Sequence, residues 1–337
     1  MGRTLFVNKR KRLRIRRILL VCIALLLVAT LVLGIVFLIK GLQNKAAAQA
    51  QPDTPPSVEQ EEEQPPALEP VRQLPADFLS RNTKAPRIAL YDISAQTLLY
   101  VKNGDEKCAP ASLTKLMTAI VALETADLDT VITAGNELYL LDPESSRAGL
   151  YIGHKMTLKQ ALQGLLLKSG NDAAYIIAAQ LGHLMDEIVS GQDAIDLYCQ
   201  KMTEKAKELG CTDTTFRNPD GIDKDGHETT ANDLLKISLH ALSIPFIAET
   251  VADDEVTTTL VSGQTKTWKN SNKLLPGGAY AYAGACGMKT GTTDGAGNCL
   301  ISCATRDGRR ILCILLGAEK DSIRYSETIE LLNLGFF

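Results

Sequence analysis

Ser112-Leu113-Thr114-Lys115, Ser169-Gly170-Asn171 and Lys289-Thr290-Gly291 each occur once, in that order, in a chain of 337 residues. Together they hold a hydroxyl, an amine three residues from it, a polar pair and a cation suited to a carboxylate. A serine hydroxyl is a weak nucleophile until a base removes its proton. Three residues apart on a helix, Ser112 and Lys115 share one face a turn apart, so the amine reaches the hydroxyl. To act as base, Lys115 must be neutral near working pH. Burial and a second cation both lower an amine's pKa, and Lys289 is the expected second cation. Ser112 also stands at a helix start, where free backbone N–H groups favour a developing oxyanion. The chemistry implied is acyl transfer through a serine ester.

Those side chains need elements to position them. Residues 87–102 predict a β-hairpin, with Ile88-Ala89-Leu90-Tyr91 and Leu98-Leu99-Tyr100-Val101 flanking a turn. Leu113, Leu116, Met117, Ile120 and Leu123 recur at helical spacing, which makes 112–124 a helix. Further helices are expected over 158–167, 172–182, 194–209, 230–242 and 322–334, with Ser169-Gly170-Asn171 in the break between the first two. Strands are expected near 287–292, 298–305 and 309–317. Strands at both chain ends with helices between them imply a mixed α/β (α+β) fold. One antiparallel sheet is built from both ends and flanked by helices, beside a helical lobe.

Each motif alone has a plain structural explanation: a helix cap, an interhelical turn, an edge strand. Their order, each on a suitable element, is what carries information. With its flanking segments the chain resembles the low-molecular-weight penicillin-binding proteins, serine-type D-alanyl-D-alanine carboxypeptidases. The resemblance runs from about Phe78 to Phe337. It rests on Pro110-Ala111-Ser112-Leu113-Thr114-Lys115, Ser169-Gly170-Asn171-Asp172-Ala173-Ala174, Phe216-Arg217-Asn218-Pro219-Asp220-Gly221 and Thr229-Thr230-Ala231-Asn232-Asp233. Gly287-Met288-Lys289-Thr290-Gly291-Thr292-Thr293, Leu316-Gly317-Ala318 and Ile323-Arg324 extend it.

The resemblance implies a β-lactamase/transpeptidase-like fold, no cofactor and no metal. It makes Ser112 the acylated nucleophile, Lys115 its base and Ser169 the proton relay to the leaving amine. Asn171, Lys289, Thr290, Gly291 and Thr292 would bind substrate, with the Ser112 and Thr292 N–H groups as oxyanion hole. Arg324 would bind the terminal carboxylate; the alternative for it is an exposed arginine at a helix start. The implied partner is a peptidoglycan stem peptide ending in D-Ala-D-Ala, and β-lactams are the implied covalent inhibitors. A β-lactamase is set aside for want of an E-x-x-x-N glutamate segment between Asn171 and Lys289 to activate the deacylating water. A DD-endopeptidase and a non-catalytic wall binder or sensor stay open as alternatives. The chain ends just after the last catalytic helix, without the β-rich domain and C-terminal amphipathic anchor of many relatives.

Composition places this chemistry. Residues 1–17 carry eight Lys or Arg and no acid, whereas residues 41–337 carry 27 basic and 39 acidic side chains, a balance of −12. An acidic main domain excludes nucleic acid as partner. Ile18 to Ile39 is an uncharged, mostly aliphatic run of 22 residues, long enough to cross a hydrocarbon core of roughly 30 Å as a helix. The basic cluster before it should stay cytoplasmic, which puts everything after Lys40 outside the cell membrane on a single-pass anchor. A cleaved signal peptide is the alternative, although the apolar run is long for one. Residues 40–77 lack aromatics and hold seven of the thirteen prolines, so they read as a disordered Pro/Glu-rich stalk. The catalytic domain is expected over 78–337.

Other chemistry finds little support. Of eight cysteines, Cys22 falls in the apolar run, leaving an odd number outside it. Arg306-Asp307-Gly308-Arg309 predicts a tight hairpin that sets Cys303 opposite Leu312 and Cys313 opposite Ser302. Those two sulfurs then point to opposite faces, and the cysteines are read mainly as small buried apolar residues. The four histidines show no metal-ligand spacing, and Asp223-Lys224-Asp225-Gly226 reads as a turn.

Overall fold

The computed structural model describes residues 83–337. The basic segment, the apolar run, the whole Pro/Glu-rich stretch, Cys22 and the expected start of the catalytic domain at Phe78 lie outside the described residues. Among the described residues no single helix is long and apolar enough to cross a membrane.

Five strands form the main sheet: β1 (Arg87–Asp92), β2 (Thr97–Lys102), β7 (Ala285–Thr293), β8 (Gly297–Arg306) and β9 (Arg309–Ala318). Their spatial order is β2-β1-β9-β8-β7, with every neighbouring pair antiparallel. Strands from both chain ends therefore share one sheet, as the sequence predicts. The Asp307-Gly308 turn sets Cys303 opposite Leu312 and Cys313 opposite Ser302, again as predicted. Side chains alternate between two cores. Ala89, Ile301, Cys303, Leu312 and Ile314 face the helical lobe. Leu90, Leu300, Cys313 and Leu315 face the terminal helix α7 (Asp321–Phe336) through Tyr325, Leu331 and Leu332.

A single 3-10 turn, Ala111–Thr114, leads into α1 (Lys115–Thr125) at the centre of the molecule. Lys115 to Ala122 are all buried, because α1 is wrapped by α2 (Leu158–Leu166), α3 (Asn171–Met185), α4 (Gln192–Glu208) and α5 (Ala231–Ser243). Local chemistry starts these helices. The Thr157 side chain and Gln160 form a reciprocal capping box on α2, and Thr230 Oγ1 accepts from Asp233 N on α5.

Four short strands and one helix escaped the sequence reading. β3 (Val131–Thr133) pairs with β4 (Lys155–Thr157), and β5 (Glu255–Thr259) pairs with β6 (Thr265–Lys269). α6 (Pro245–Ala252) follows α5 directly. Three- and five-residue strands are too short for alternation to stand out. Glu255-Val256-Thr257-Thr258-Thr259 is mostly polar besides. What holds β6 is its one large apolar side chain, Trp268, which is buried and donates Nε1 to Ala148 O at 2.8 Å.

Candidate active site

The 3-10 turn presents Ser112 at the mouth of a groove and buries Lys115 beneath it. Lys115 Nζ lies 2.8 Å from Ser112 Oγ and 2.5 Å from the Asp220 carbonyl oxygen. Burial pushes the Lys115 amine down to about 8, against the opposing pull of the Asp220 and Asp172 carboxylates. Lys289 is driven well below the ordinary lysine range by burial first, then by the charges of Lys115 and Arg324. Burial is the dominant cause at both amines, and the repulsion between the two cations acts on each.

Two close backbone approaches fix the turn. Gly221, at φ +95°, backs onto Ala111 so tightly that a Cβ there would overlap the Ala111 carbonyl oxygen. On the other side a Cβ on Gly291 would sit 3.0 Å from Ala111 Cβ and 3.1 Å from Ser112 N. Ala111 itself holds φ +50°, and Ser169 φ +60°, both rare for residues with a side chain. Polar tethers maintain them. Thr114 Oγ1 donates to Ala111 O at 2.9 Å and meets His227 Nε2 at 2.9 Å. His227 Nδ1 accepts from Arg217 N at 2.8 Å, so Nε2 carries the ring proton. Burial depresses this imidazole to about 4.

The break between α2 and α3 is organised by Asp172. Its fully buried carboxylate accepts from Ala148 N, Leu150 N and Ala173 N at 2.8–2.9 Å. Asn171 N donates to Ser146 O at 2.8 Å. Behind Lys115, Asn218 Oδ1 accepts from Gly221 N at 2.7 Å, and Thr118 Oγ1 donates to Pro219 O at 2.6 Å. Asp172 thus positions the site's backbone and the Asp220 carbonyl receives Lys115 Nζ, roles that no motif of their own signals in the sequence. Their position beside Ser169-Asn171 and Gly221 was the available signal.

The facing wall is β7. Lys289 is buried and donates to Thr290 O at 3.0 Å, while Thr290 Oγ1 bonds Ser271 Oγ at 2.8 Å. Arg324 is not the exposed arginine of the alternative reading; it is only 8% exposed. Its Nη1 donates to Gly291 O at 3.0 Å, Thr292 Oγ1 at 2.9 Å and Cys299 O at 3.3 Å, and its Nη2 pairs with Asp321.

The groove between the walls holds about 380 Å³. Ser112, Ser169, Thr290, Gly291 and Thr292 line it. Lys115, Asn171, Lys289 and Arg324 lie behind that lining. Ser146, Lys168, Lys269, Asn270 and Ser271 complete it and were not foreseen. They sit on loops and a short strand end with no motif of their own. Among the described residues no carboxylate lines the groove. One segment does carry E-x-x-x-N spacing, Glu228-Thr229-Thr230-Ala231-Asn232, contrary to expectation. The fold places Glu228 at the surface, paired with Lys107 at 2.7 Å, and not in the groove. Asp223 accepts from Thr293 Oγ1 and Gly295 N, both at 2.7 Å, tying its turn to the β7–β8 connection.

An antiparallel sheet against a helical lobe, with a serine and a buried lysine at their junction, defines a serine peptidase of the penicillin-binding fold. The solved DD-transpeptidase of Streptomyces K15 has this fold. It is 32% identical, covers 75% of this chain and 97% of its own, and superposes with a TM-score of 0.67. Penicillin-binding protein D2 from Listeria monocytogenes, in an ampicillin-bound form, is 29% identical, covers 76% and 99%, and gives a TM-score of 0.62. The sequence profile of the D-alanyl-D-alanine carboxypeptidase family matches residues 76–320, and the chain belongs to that family. Similar curated proteins include D-alanyl-D-alanine carboxypeptidases of Streptomyces sp. (33% identity; 71% of this chain, 83% of the relative) and Bacillus subtilis (30%; 75% and 62%).

Proposed function

We propose that this chain removes the terminal D-alanine from peptidoglycan stem peptides ending in D-Ala-D-Ala, by way of an acyl-enzyme on Ser112. The observation that carries this reading is the 2.8 Å contact between Lys115 Nζ and Ser112 Oγ, made by an amine that burial holds near 8. Neutral Lys115 takes the Ser112 proton as Oγ attacks the carbonyl of the penultimate D-alanine. The Ser112 and Thr292 N–H groups receive the oxyanion, and Gly291 gives them room to converge. The C–N bond breaks, Ser169 relays a proton to the departing amine, and Asn171 holds the peptide group. Water then releases the shortened peptide from Ser112.

Lys289, whose positive charge burial disfavours, is stabilised as a cation by a substrate carboxylate beside it. Arg324 stands one hydrogen bond behind that position, at Thr292, adding positive potential and holding β7 in place. The same ester forms when a β-lactam opens on Ser112. With no carboxylate lining the groove, that ester deacylates slowly, which separates this reading from a β-lactamase. We also place the domain outside the cell membrane, held by residues 18–39 as a single helix and spaced by the Pro/Glu-rich segment; the length of the apolar run and the basic cluster before it support this.

The decisive experiment measures D-alanine release from a diacyl-D-Ala-D-Ala peptide, alongside intact-mass detection of a penicillin adduct. Wild type should release D-alanine and hold the adduct, and Ser112→Ala should do neither. Equal release by Ser112→Ala, or rapid loss of the adduct from wild type, would sink the assignment.

A further inference from the structure

Two cysteines meet beside the strand that carries Lys289. In the β7–β8 pair Ala285 lies opposite Ala304 and Met288 opposite Ser302, and the register shifts between them. Counting from Ala285, Cys286 faces Cys303, and Gly287 is the extra residue of the bulge. Directly opposed residues of an antiparallel pair have Cα atoms roughly 4.5–5.5 Å apart, within the span a disulfide bridges. The two Sγ atoms are in contact at 2.6 Å, and Cys303 Sγ also approaches the Cys286 carbonyl at 3.1 Å. From β9, Arg310 Nη2 comes within 3.7 Å of Cys303 Sγ.

Cys286 differs from the buried thiols, including its partner Cys303, which is itself pushed well above the ordinary thiol value by Cys286 and by burial. Burial pushes Cys199, Cys211, Cys299 and Cys313 up to about 12, so they stay protonated and inert. Cys286 goes the other way, down to about 6, through the hydrogen bond from Cys303 first and the Arg310 charge as well. Access separates the two partners: Cys303 is fully buried, whereas Cys286 is partly exposed. An outside reagent therefore meets Cys286 first, with Cys303 behind it as the resolving sulfur.

The geometry points to a reversible Cys286–Cys303 disulfide, a redox-controlled staple across the strand pair that holds Lys289-Thr290-Gly291 in the active site. The oxidant is another disulfide, small-molecule or protein. The Cys286 thiolate attacks one of its sulfurs and expels the first thiol. The Cys303 sulfur then displaces the second thiol from Cys286 as its own proton leaves. Two protein thiols are oxidised, one external disulfide is reduced to two thiols, and the two protein protons end on those thiols. The bond would sit three residues before Lys289 and close the bulge at Gly287.

The test is thiol mapping of the full chain equilibrated with oxidised glutathione, trapped with iodoacetamide in the native state and digested with trypsin. Two thiols should be lost, and the tryptic peptide 274–289 should appear linked to 290–306. Fragmentation should place the bond on Cys303, not Cys299, and dithiothreitol should restore both thiols. Cys303→Ser under the same conditions should stop at a glutathione adduct on Cys286. The proposal is overturned if wild-type Cys286 remains alkylatable, if it too stops at the glutathione adduct, or if the bond lands on Cys299.

Discussion

The two walls of the groove are built on different principles. On the sheet side, β7 is held by a ladder to β8, regular from Met288 to Thr293 beyond the bulge at Gly287, and by one guanidinium, Arg324, spread over Gly291, Thr292 and Cys299. On the helical side, the reactive groups sit on a 3-10 turn and an interhelical break, where two residues with side chains hold positive φ. No ladder supports these. Single buried side chains bonded to backbone do so instead: Asp172, Thr114, His227, Asn218 and Thr118. Backbone pairing spreads its load over many bonds, whereas a tether concentrates it in one residue. The buried lysines differ in parallel. Lys115 has carboxylates acting on it and stays near 8, while Lys289 has only burial and cations acting on it and is pushed well below the ordinary lysine range.

The contrast is most exposed at Asp172. Asp172→Ala leaves three buried amide donors without an acceptor and should destabilise the protein by about 4 kcal/mol in urea unfolding. A cost near that of a surface substitution would mean the helical wall is held some other way. Next come the two glycines that pinch the Ser112 turn. Gly221→Ala meets backbone at φ +95° and should displace Ser112, cutting penicillin acylation by on the order of 100-fold. Gly291→Ala meets neighbours at 3.0–3.1 Å that need yield only slightly, and should cost about tenfold. Equal losses from the two would erase the distinction between the walls.

His227 offers a pH test of the same tethers. Its folded pKa, about 4, lies below the unfolded value, so the unfolded chain binds the extra proton between them. Stability from this group is complete above about pH 6.5 and drains away as pH falls toward 4, by about 3 kcal/mol in total. Urea unfolding across that window should show a shallower slope for His227→Gln than for wild type. The smallest effect is expected at Asp223, an exposed carboxylate linking the turn before His227 to the β7–β8 connection. Its replacement by Ala should cost about 1 kcal/mol, or a melting point lower by about 3 °C.

The same division governs what could be read in advance. The sheet wall was legible because alternation and the Asp307-Gly308 turn fix register, and register placed Cys303 and Cys313 correctly. Helices over Ser112, Leu158, Asp172, Thr230 and Ser322 were legible from their apolar spacing, to within a few residues. Helical spacing also put Lys115 within reach of Ser112. Legibility ended where a contact joins distant segments through one bond. Nothing local announces that Ser271 reaches Thr290, that Trp268 reaches Ala148, or that Asp220 lies behind Lys115. The Cys286–Cys303 contact was missed for a related reason: the bulge at Gly287 breaks the count by which strands are aligned.

The order of strands in the sheet also sets a timetable. β1 lies between β2 and β9, so the start of the described chain pairs with a strand more than two hundred residues later. Closing that pairing is a late, high-contact-order event. As the chain emerges from its N-terminus, the hairpin β1–β2 and the helical lobe come first, and β1 keeps one edge unpaired until Arg309–Ala318 arrives. The groove cannot be complete before that moment, because its sheet wall, β7, is joined to β1 only through β8 and β9, and the Arg324 that braces it follows on α7. A chain truncated before β9 should therefore keep Ser112, Lys115 and the β7–β8 pair but lack the strand that joins that pair to β1.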